Sequence, residues 1–311
     1  MWIVRRISSS LIVLLVVSCV LFVMCRMTPT SPAHIVLGAD ARAEQVAAFD
    51  HEHGLDLPVL TQYQRWISAA ATSGFGDSYI TGLPIGSQIA ETLPVTLEIV
   101  TVAFVMTTIF SIVFGMAAAF YEGRMLDQFV RVICIVFLSL PGFWLALLLI
   151  RMFSLTLEWL PPGGIIPWED GKLAHLASLL MPALSIALYY MAVLTRLTRS
   201  TVIEVLGQDY VRTVEAMGLK RITIWWYILK NALPSFVTMA ALIYGYMFGW
   251  ALIIEQVFNL PGMSRALLTA ILQKDYPMVQ AVVLVITAIF ITANTLSDLL
   301  GKLINPAGSA R

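Results

Sequence analysis

The stretch Gln208–Pro234, QDYVRTVEAMGLKRITIWWYILKNALP, decides how the rest of this chain is arranged. It lies between two apolar runs that are each long enough to cross a membrane, and yet it carries several charges. The sequence predicts Asp209 as an N-cap, about two helical turns over 210–217, and Gly218 in a left-handed conformation that ends the helix. A second, amphipathic helix is predicted over Ile222–Leu229, ending at Asn231 and Pro234. A short capped helix outside the membrane indicates a docking element for another protein.

The composition is that of an integral membrane protein. Of the 311 residues, 59% are hydrophobic and 12% are charged, and the mean hydropathy is +0.84. A soluble domain carries about 25% charged residues. The net charge is zero, so nothing indicates nucleic acid as a partner. The three cysteines, Cys19, Cys25 and Cys134, all fall in apolar runs, which favours small buried side chains over a disulfide framework or a metal site.

Six apolar runs without charged side chains predict six transmembrane helices. At about 1.5 Å per residue, runs of roughly 19 to 23 residues cross a hydrocarbon core of about 30 Å. The first run is longer than the core of a signal peptide and has no small-residue cleavage site, so it is predicted to be retained. The runs are Ile7–Cys25, Ile99–Tyr121, Val132–Ile150, Leu176–Thr195, Ser235–Ile254 and Met278–Ser297. The predicted fold class is therefore all-α and polytopic.

This pattern divides the chain into four segments. Residues 1–26 hold the first transmembrane helix, 27–92 form a polar lobe rich in Gly and Pro, 93–303 form a five-helix core with a cytoplasmic loop at 196–234, and 304–311 form a tail. With the N-terminus inside, twelve Lys and Arg residues fall on the cytoplasmic side and six on the other. Both termini and the loop are therefore expected in the cytoplasm. Pro141 and Pro182 fall inside predicted spans, where neighbouring helices can compensate for a kink.

The sequence contains few motifs for metal binding, phosphate binding or ion coupling. The run Asp50–His53 has residue types that bind transition metals, but its adjacent side chains point in different directions, which favours a solvated surface. Neither Gly171-Lys172 nor Gly301-Lys302 is followed by Ser or Thr, so no phosphate-binding P-loop is predicted. The six runs lack the charged groups that coupled carriers and pumps use at membrane depth. The chain is therefore predicted to be no enzyme, to bind no cofactor and to take its energy from a partner.

The docking element resembles the EAA loop of permease subunits in bacterial ABC importers. Gly218 matches the glycine of that family, while Arg212-Thr213-Val214 stands at the usual Glu-Ala-Ala positions, a variation typical of the dipeptide, oligopeptide and nickel branch. Three further stretches are similar to that branch: Arg5–Pro29, Gly54–Ile85 and Glu255–Ala281. The first departs from it where Thr28-Pro29-Thr30-Ser31-Pro32 replaces the common Pro-Gly-Asp-Pro.

The resemblance implies a type I ABC importer permease fold with a small extracytoplasmic lobe after helix 1, in the inner (cytoplasmic) membrane. It also implies four kinds of partner besides the lipid bilayer: a homologous second permease, two cytoplasmic ATP-binding subunits that hold the ATP, and an extracytoplasmic solute-binding protein. Peptides are the expected cargo, with nickel or a metal–chelator complex as the alternative. A stand-alone channel or secondary carrier is the alternative of another class.

The resemblance also assigns the docking element to a groove of one ATPase subunit. There the helix would act as a rigid lever that the ATPase moves. A proline at Asp209 or at Gly218 is expected to break this helix, which would abolish uptake and leave membrane insertion intact. Separately, Gly245 and Gly249 form a G-x-x-x-G motif, which fits either a contact with the second permease or packing within the chain. The residues expected in the ATPase-coupling helix are Asp209, Tyr210, Arg212, Thr213, Glu215, Ala216, Gly218 and Leu219.

Overall fold

The computed structural model describes residues 2–27, 31–38, 40–218 and 220–304, and the predicted all-α class is confirmed over them. Within these ranges the named elements are helical, apart from an isolated β-bridge between Asp77 and Pro84. The helices are α1 Trp2–Arg26, α2 Pro32–Leu37, α3 Ala43–Glu52, α4 Val59–Thr72, α5 Ile85–Phe120, α6 Met125–Ser139, α7 Gly142–Leu149, α8 Lys172–Leu206, α9 Asp209–Ala216, α10 Arg221–Val257, α11 Met263–Gln273 and α12 Tyr276–Ile304. Ile150–Thr156 continues α7 as a π-helix, and Trp168–Asp170 is a 3₁₀ turn.

Five helices in the described part of the chain, α1, α5, α8, α10 and α12, are each long and apolar enough to cross a membrane. A sixth span exists only if Met125–Ser139 and Gly142–Thr156 are counted together, and these two pieces meet at a bend of 106°. The span predicted over Val132–Ile150 is therefore present only as two bent pieces, and the bend lies at the Pro141-Gly142 pair, where a kink was expected.

The break at Pro141 has a backbone cause and a packing cause. Leu140 is extended (φ −91°, ψ 133°), the conformation that a residue before proline prefers, and Pro141 has no N–H to donate. The ring of Trp250 lies over Gly142, where a Cβ atom would overlap it. The Pro-Gly pair thus ends α6 and starts α7 at a place where only glycine fits beneath the tryptophan.

The other prolines inside long helices do not break them. α8 runs through Pro182, and α10 runs through Pro234 for 37 residues. The prediction that the second helix of the docking element ends at Asn231 and Pro234 is therefore wrong, because that helix is the first part of α10. At about 1.5 Å per residue α10 is roughly 55 Å long, well beyond a hydrocarbon core of about 30 Å. The expected loop at 196–234 shrinks to residues 207–220, which hold α9.

The described residues fall into two compact units, the first within 1–96 and 261–291 and the second within 97–260 and 292–311. In the first unit α1 packs on α4, because the Ser18 and Tyr63 hydroxyls are hydrogen-bonded at 2.8 Å and the ring of Phe22 lies against those of Tyr63 and Trp66. The helical patterns near 41–50 and 61–71 are present as α3 and α4, whereas α2 and α11 were not predicted. The boundaries of the lobe and of the membrane core stay predictions.

A buried carboxylate organises the turn at 76–84 in this first unit. Asp275, just before α12, accepts a hydrogen bond from the Ser78 hydroxyl and a second, of 3.3 Å, from the Tyr79 N–H. The Ser78 oxygen in turn accepts the N–H of Thr81 at 3.0 Å. Two of the stretches on which the resemblance rests, Gly54–Ile85 and Glu255–Ala281, are therefore joined through Asp275.

We expect Asp275→Ala to loosen this turn, because the buried Ser78 hydroxyl and Tyr79 N–H lose their acceptor at a cost of about 1–3 kcal/mol. Limited proteolysis of the detergent-purified protein should show faster cleavage within 76–84. Asp56→Ala, which removes an exposed carboxylate of the same unit, serves as the control and should leave the cleavage rate unchanged. Equal cleavage of both variants and the parent protein would contradict the anchoring role.

Candidate functional site

The candidate site is α9, a helix of eight residues between α8 and α10 in the second unit. It begins at Asp209, so this residue is the first of the helix, one position later than the predicted N-cap. A carboxylate there still complements the positive end of the helix dipole. At the other end, the Met217 N–H donates to the Thr213 carbonyl at 3.0 Å, and Gly218 has φ +69°. The left-handed glycine that ends the helix is therefore as predicted.

One side of α9 is fixed by Val211, whose side chain is buried. It belongs to a cluster contributed by three membrane helices, and we call this the Val211 cluster. Its other buried members are Met116 and Ala119 of α5, Val202 of α8, and Ile228 and Ala232 of α10. α9 is thus attached to the ends of three spans at once. The cluster residues that α5 and α8 contribute lie outside the stretch 208–234.

The opposite side of α9 is exposed. Asp209, Tyr210, Thr213 and Gly218 of the predicted coupling residues all lie at the surface. Arg212, Glu215 and Ala216 are part of the same helix, and Leu219 lies outside the described residues. The structure therefore places the described members of the predicted set on one short helix, apart from Gly218, which follows its end.

Large apolar side chains are exposed around α9 and at the start of α10. Met217 is 71% exposed, Ile222 72% and Trp226 65%. Trp225 differs from them, because its ring stacks on Phe120 of α5 with centroids 4.3 Å apart and an angle of 9° between the planes. Exposed apolar surface of this kind marks a place where a protein or a membrane binds.

α5 and α8 pack closely through small and hydroxyl-bearing residues. Thr107 and Ser111 of α5 donate hydrogen bonds to carbonyl groups of α8, the first to Ala187 at 3.4 Å and the second to Met191 at 3.2 Å. One turn further on, a Cβ atom on Gly115 would lie 2.5 Å from that of Thr198. Small side chains that recur every four residues let membrane helices approach closely. This spacing was visible in the sequence but was not used to predict the contact.

A buried ion pair joins α6 to α8. Asp127 is buried, and its carboxylate accepts two hydrogen bonds from Arg199, at 2.6 Å from Nε and 2.8 Å from Nη2. The Gly123 N–H gives the same carboxylate a third, at 3.0 Å, and Glu122 lies 3.8 Å from the guanidinium. This pair was not predicted from the sequence, because both charges lie outside the apolar runs and they are 72 residues apart.

A second polar cluster lies near the start of α8, around the buried side chain of His175. Its Nδ1 is 2.6 Å from the Ile166 carbonyl oxygen and its Nε2 is 3.1 Å from the Glu98 carboxylate, so both ring nitrogens face acceptors. The indole of Trp168 stacks on the imidazole and donates to Glu98 at 3.1 Å. The cluster therefore links α5, α8 and the segment before α8.

The two glycines of the predicted G-x-x-x-G motif have different surroundings. Gly245 is buried, whereas Gly249 is exposed and no atom lies within 4 Å of the place where its Cβ would be. Gly249 borders an open recess of about 450 Å³ together with Tyr189, Tyr246 and Ile253. The contact with a second permease stays a prediction, and Gly249 is the member of the pair with room for one.

In the described ranges of the chain no group of three or more His, Cys, Asp or Glu side chains is arranged to hold a metal ion. Within the run Asp50–His53, the imidazole of His53 stacks on the ring of Phe49 with centroids 4.1 Å apart and meets Tyr79 edge-on. These contacts give the histidine a packing role in α3 and the turn that follows it.

Two family models match the sequence. The model described as a binding-protein-dependent transport system inner membrane component matches residues 111–308, and the N-terminal model of such membrane components matches residues 1–100. Together they cover both the core and the lobe, which is the resemblance that the sequence analysis identified.

Curated relatives match along nearly the whole chain. The sequence is 35% identical over 305 residues to a putative peptide transport system permease protein of Brucella suis biovar 1, covering 98% of this chain and 97% of the relative. It is 33% identical over 310 residues to the glutathione transport system permease protein of Escherichia coli (strain K12), covering 98% of each. Among solved structures, an inward-facing form of the MetNI methionine ABC transporter has a TM-score of 0.60 at 14% identity, over 71% of this chain and 98% of that one. This likeness shows the fold of an ABC transporter permease.

We expect Asp127→Ala to destabilise the protein by about 3–5 kcal/mol, because Arg199, whose side chain is 21% exposed, would lose the carboxylate that accepts two of its hydrogen bonds. Glu122→Ala is the matched control, since it removes a carboxylate that is 58% exposed and more distant from the same guanidinium, and it should change stability by no more than about 0.5 kcal/mol. Chemical unfolding of both variants in detergent micelles measures the difference. Equal losses of stability in the two variants would show that the Asp127–Arg199 pair stabilises the protein no more than the exposed Glu122 does.

Proposed function

This chain belongs to the family of binding-protein-dependent transport system inner membrane components, and we propose that it forms a peptide-uptake pathway together with a homologous second permease. As a member of this family it is a permease subunit of an ABC importer. The relatives named for peptide and for glutathione, itself a tripeptide, favour peptides over nickel or a metal–chelator complex as cargo. A solute-binding protein on the far side of the membrane delivers the peptide.

The attachment and exposure of α9 carry the proposal for how the chain is driven. α9 is the helix on which one of two cytoplasmic ATP-binding subunits docks, with its exposed side as the contact surface. The supporting observation is that Val211 is buried among α5, α8 and α10, while Tyr210 of α9 and Met217 directly after it are exposed. A helix with one anchored side and one free side transmits a push from a partner to the spans.

The motion comes from ATP bound by the partner subunits. ATP drives a conformational change only if it binds the closed pair of ATPases more tightly than the open pair. Closure moves α9, and the Val211 cluster passes this movement to α5, α8 and α10 together. Because α10 continues without interruption from residue 221 through its apolar part, a displacement at its start is carried along the whole helix. Alternation between inward- and outward-facing states follows.

Charge and topology support the orientation. We place α9 and both termini in the cytoplasm, since twelve of the Lys and Arg residues then lie inside and six outside. The chain is then a multi-pass protein of the inner membrane, and the lobe at 27–92 faces the solute-binding protein.

A proline in the middle of α9 should uncouple transport. Thr213 is the fifth residue of the helix, so Thr213→Pro removes a helical hydrogen bond and costs about 3 kcal/mol or more. We expect normal membrane insertion and at least a roughly tenfold loss of peptide uptake by whole cells. Gly218→Pro should behave alike, because proline cannot adopt φ +69°.

Asp209→Pro is the matched control, and here the structure changes the expectation. Proline is well tolerated at the first position of a helix, and Asp209 is that position in α9. This variant should therefore keep most of its uptake. Normal uptake by Thr213→Pro, or equal loss in both variants, would contradict the lever role of α9.

Reconstitution separates an ABC importer from a stand-alone channel or carrier. In proteoliposomes, this chain with its second permease should accumulate no peptide against a gradient until the ATP-binding subunits, ATP and the solute-binding protein are added. Omission of each component in turn provides the controls. Uphill uptake by the permeases alone would refute the proposal.

A further inference from the structure

The first unit contains a polar cavity of about 590 Å³ that the transport mechanism does not use. Its walls come from the end of α1, from α3 and α4, from the turn at 75–79, and from the start of α12, all within that unit. The volume lies in the range of about 300–1,000 Å³ typical of small-molecule sites.

Buried polar atoms without hydrogen-bond partners are concentrated at this cavity. In the described part of the chain, four such atoms belong to lining residues: Asp50 Oδ1, Gln62 Oε1, Trp66 Nε1 and Tyr276 Oη. A buried polar atom left unpaired costs about 1–3 kcal/mol, and native proteins leave few of them. Four around one cavity indicate that something in the cavity pairs with them.

The orientation of the Gln62 amide is fixed by the protein itself. Its Nε2 donates one hydrogen to the Leu55 carbonyl at 2.9 Å and the other to the Leu57 carbonyl at 2.6 Å. Because both hydrogens are used, the amide cannot be turned to exchange its two ends, and Oε1 must find its donor elsewhere. The lining residues thus include two unpaired acceptors, on Gln62 and Asp50, and two unpaired donors, on Trp66 and Tyr276.

The cavity is lined by charged groups of both signs. Arg26 and Arg65 supply positive charge, and Asp50, Glu52 and Asp77 supply negative charge. Within the described residues no nitrogen of these two arginines lies within 4 Å of an oxygen of the three carboxylates. Aromatic rings of Phe22, Trp66, Tyr79 and Tyr276 complete the wall. Unpaired charges of both signs fit a ligand that itself carries both signs, with rings that also favour a cation.

From this arrangement we infer that the cavity binds a small zwitterion, with an ammonium group towards Asp50 and an anionic group towards the arginines. An amino acid or a dipeptide has this chemistry, and so does the headgroup of phosphatidylethanolamine. The site belongs to the permease itself and is separate from the solute-binding protein, so it does not depend on the uptake route proposed above.

Calorimetric titration of the full chain in phosphatidylcholine nanodiscs tests this inference, with alanyl-alanine as the probe. We expect saturable binding of the dipeptide and none of its N-acetylated, C-amidated form, which has the same side chains and no charges. In a parallel arm, the thermal unfolding midpoint is compared between nanodiscs with and without phosphatidylethanolamine.

Paired variants assign the binding to the cavity. Tyr276→Phe removes only the unpartnered hydroxyl and should weaken binding about 2–10-fold, whereas Tyr63→Phe removes a hydroxyl that is already paired with Ser18 and should leave affinity unchanged. Asp50→Asn should weaken binding about tenfold or more, because a charged acceptor is lost. Asp56→Asn, at an exposed carboxylate outside the cavity lining, is its control.

The outcomes separate cleanly. Dipeptide binding that weakens in Tyr276→Phe and Asp50→Asn supports a soluble zwitterion as the ligand. A phosphatidylethanolamine-dependent rise in the unfolding midpoint that is lost in Asp50→Asn supports the same site with a lipid headgroup in it. If neither effect occurs, or if the cavity variants and their controls behave alike, the cavity holds only water and the inference is overturned.

Discussion

The burial of Val211 among three membrane helices is the contact on which the position of α9 depends. A helix of eight residues is too short to be stable in water by itself, so it needs a tertiary anchor. Burying a valine contributes about 1.5–3 kcal/mol, which is enough to hold two turns against a framework that is already formed. Because the partners of Val211 come from α5, α8 and α10, a force on α9 is distributed over three spans. The exposed side chains of Tyr210 and Thr213 lie on the part of α9 that faces away from this anchor.

Local signals predicted α9 well, and they could not predict what it is attached to. The acidic residue at the start, the glycine at the end and the polar composition between apolar runs are all readable within twelve residues of Asp209. The packing of Val211 on Met116 and Val202 joins residues far apart in the sequence, and one sequence without an alignment carries no record of such pairs. The resemblance to a permease family supplied a function for the helix but not the contacts that make it rigid.

The prolines also show that the local sequence does not determine how a helix is packed. Pro141, Pro182 and Pro234 all stand in apolar surroundings, and each removes one backbone donor. The chain breaks only at Pro141 among these three, where glycine follows and the ring of Trp250 fills the space of the missing side chain. Pro182 and Pro234 are absorbed into α8 and α10. Whether a proline bends or ends a membrane helix therefore depends on the neighbours that the surrounding helices provide.

The long helices have apolar middles without charged side chains and carry their charged residues near their ends. The apolar runs contain no ionisable group of the kind that carriers use, yet the helices that include them extend beyond the hydrocarbon core and carry charges near their ends. Near the end of α8 Arg199 is paired with Asp127, and near its start His175 is paired with Glu98. Polar contacts at both ends of α8 resist the shear of this helix past its neighbours, whereas its apolar middle carries no Asp, Glu, Lys or Arg side chain. Helices built this way suit a subunit whose spans move as bodies when a partner acts on one end of them.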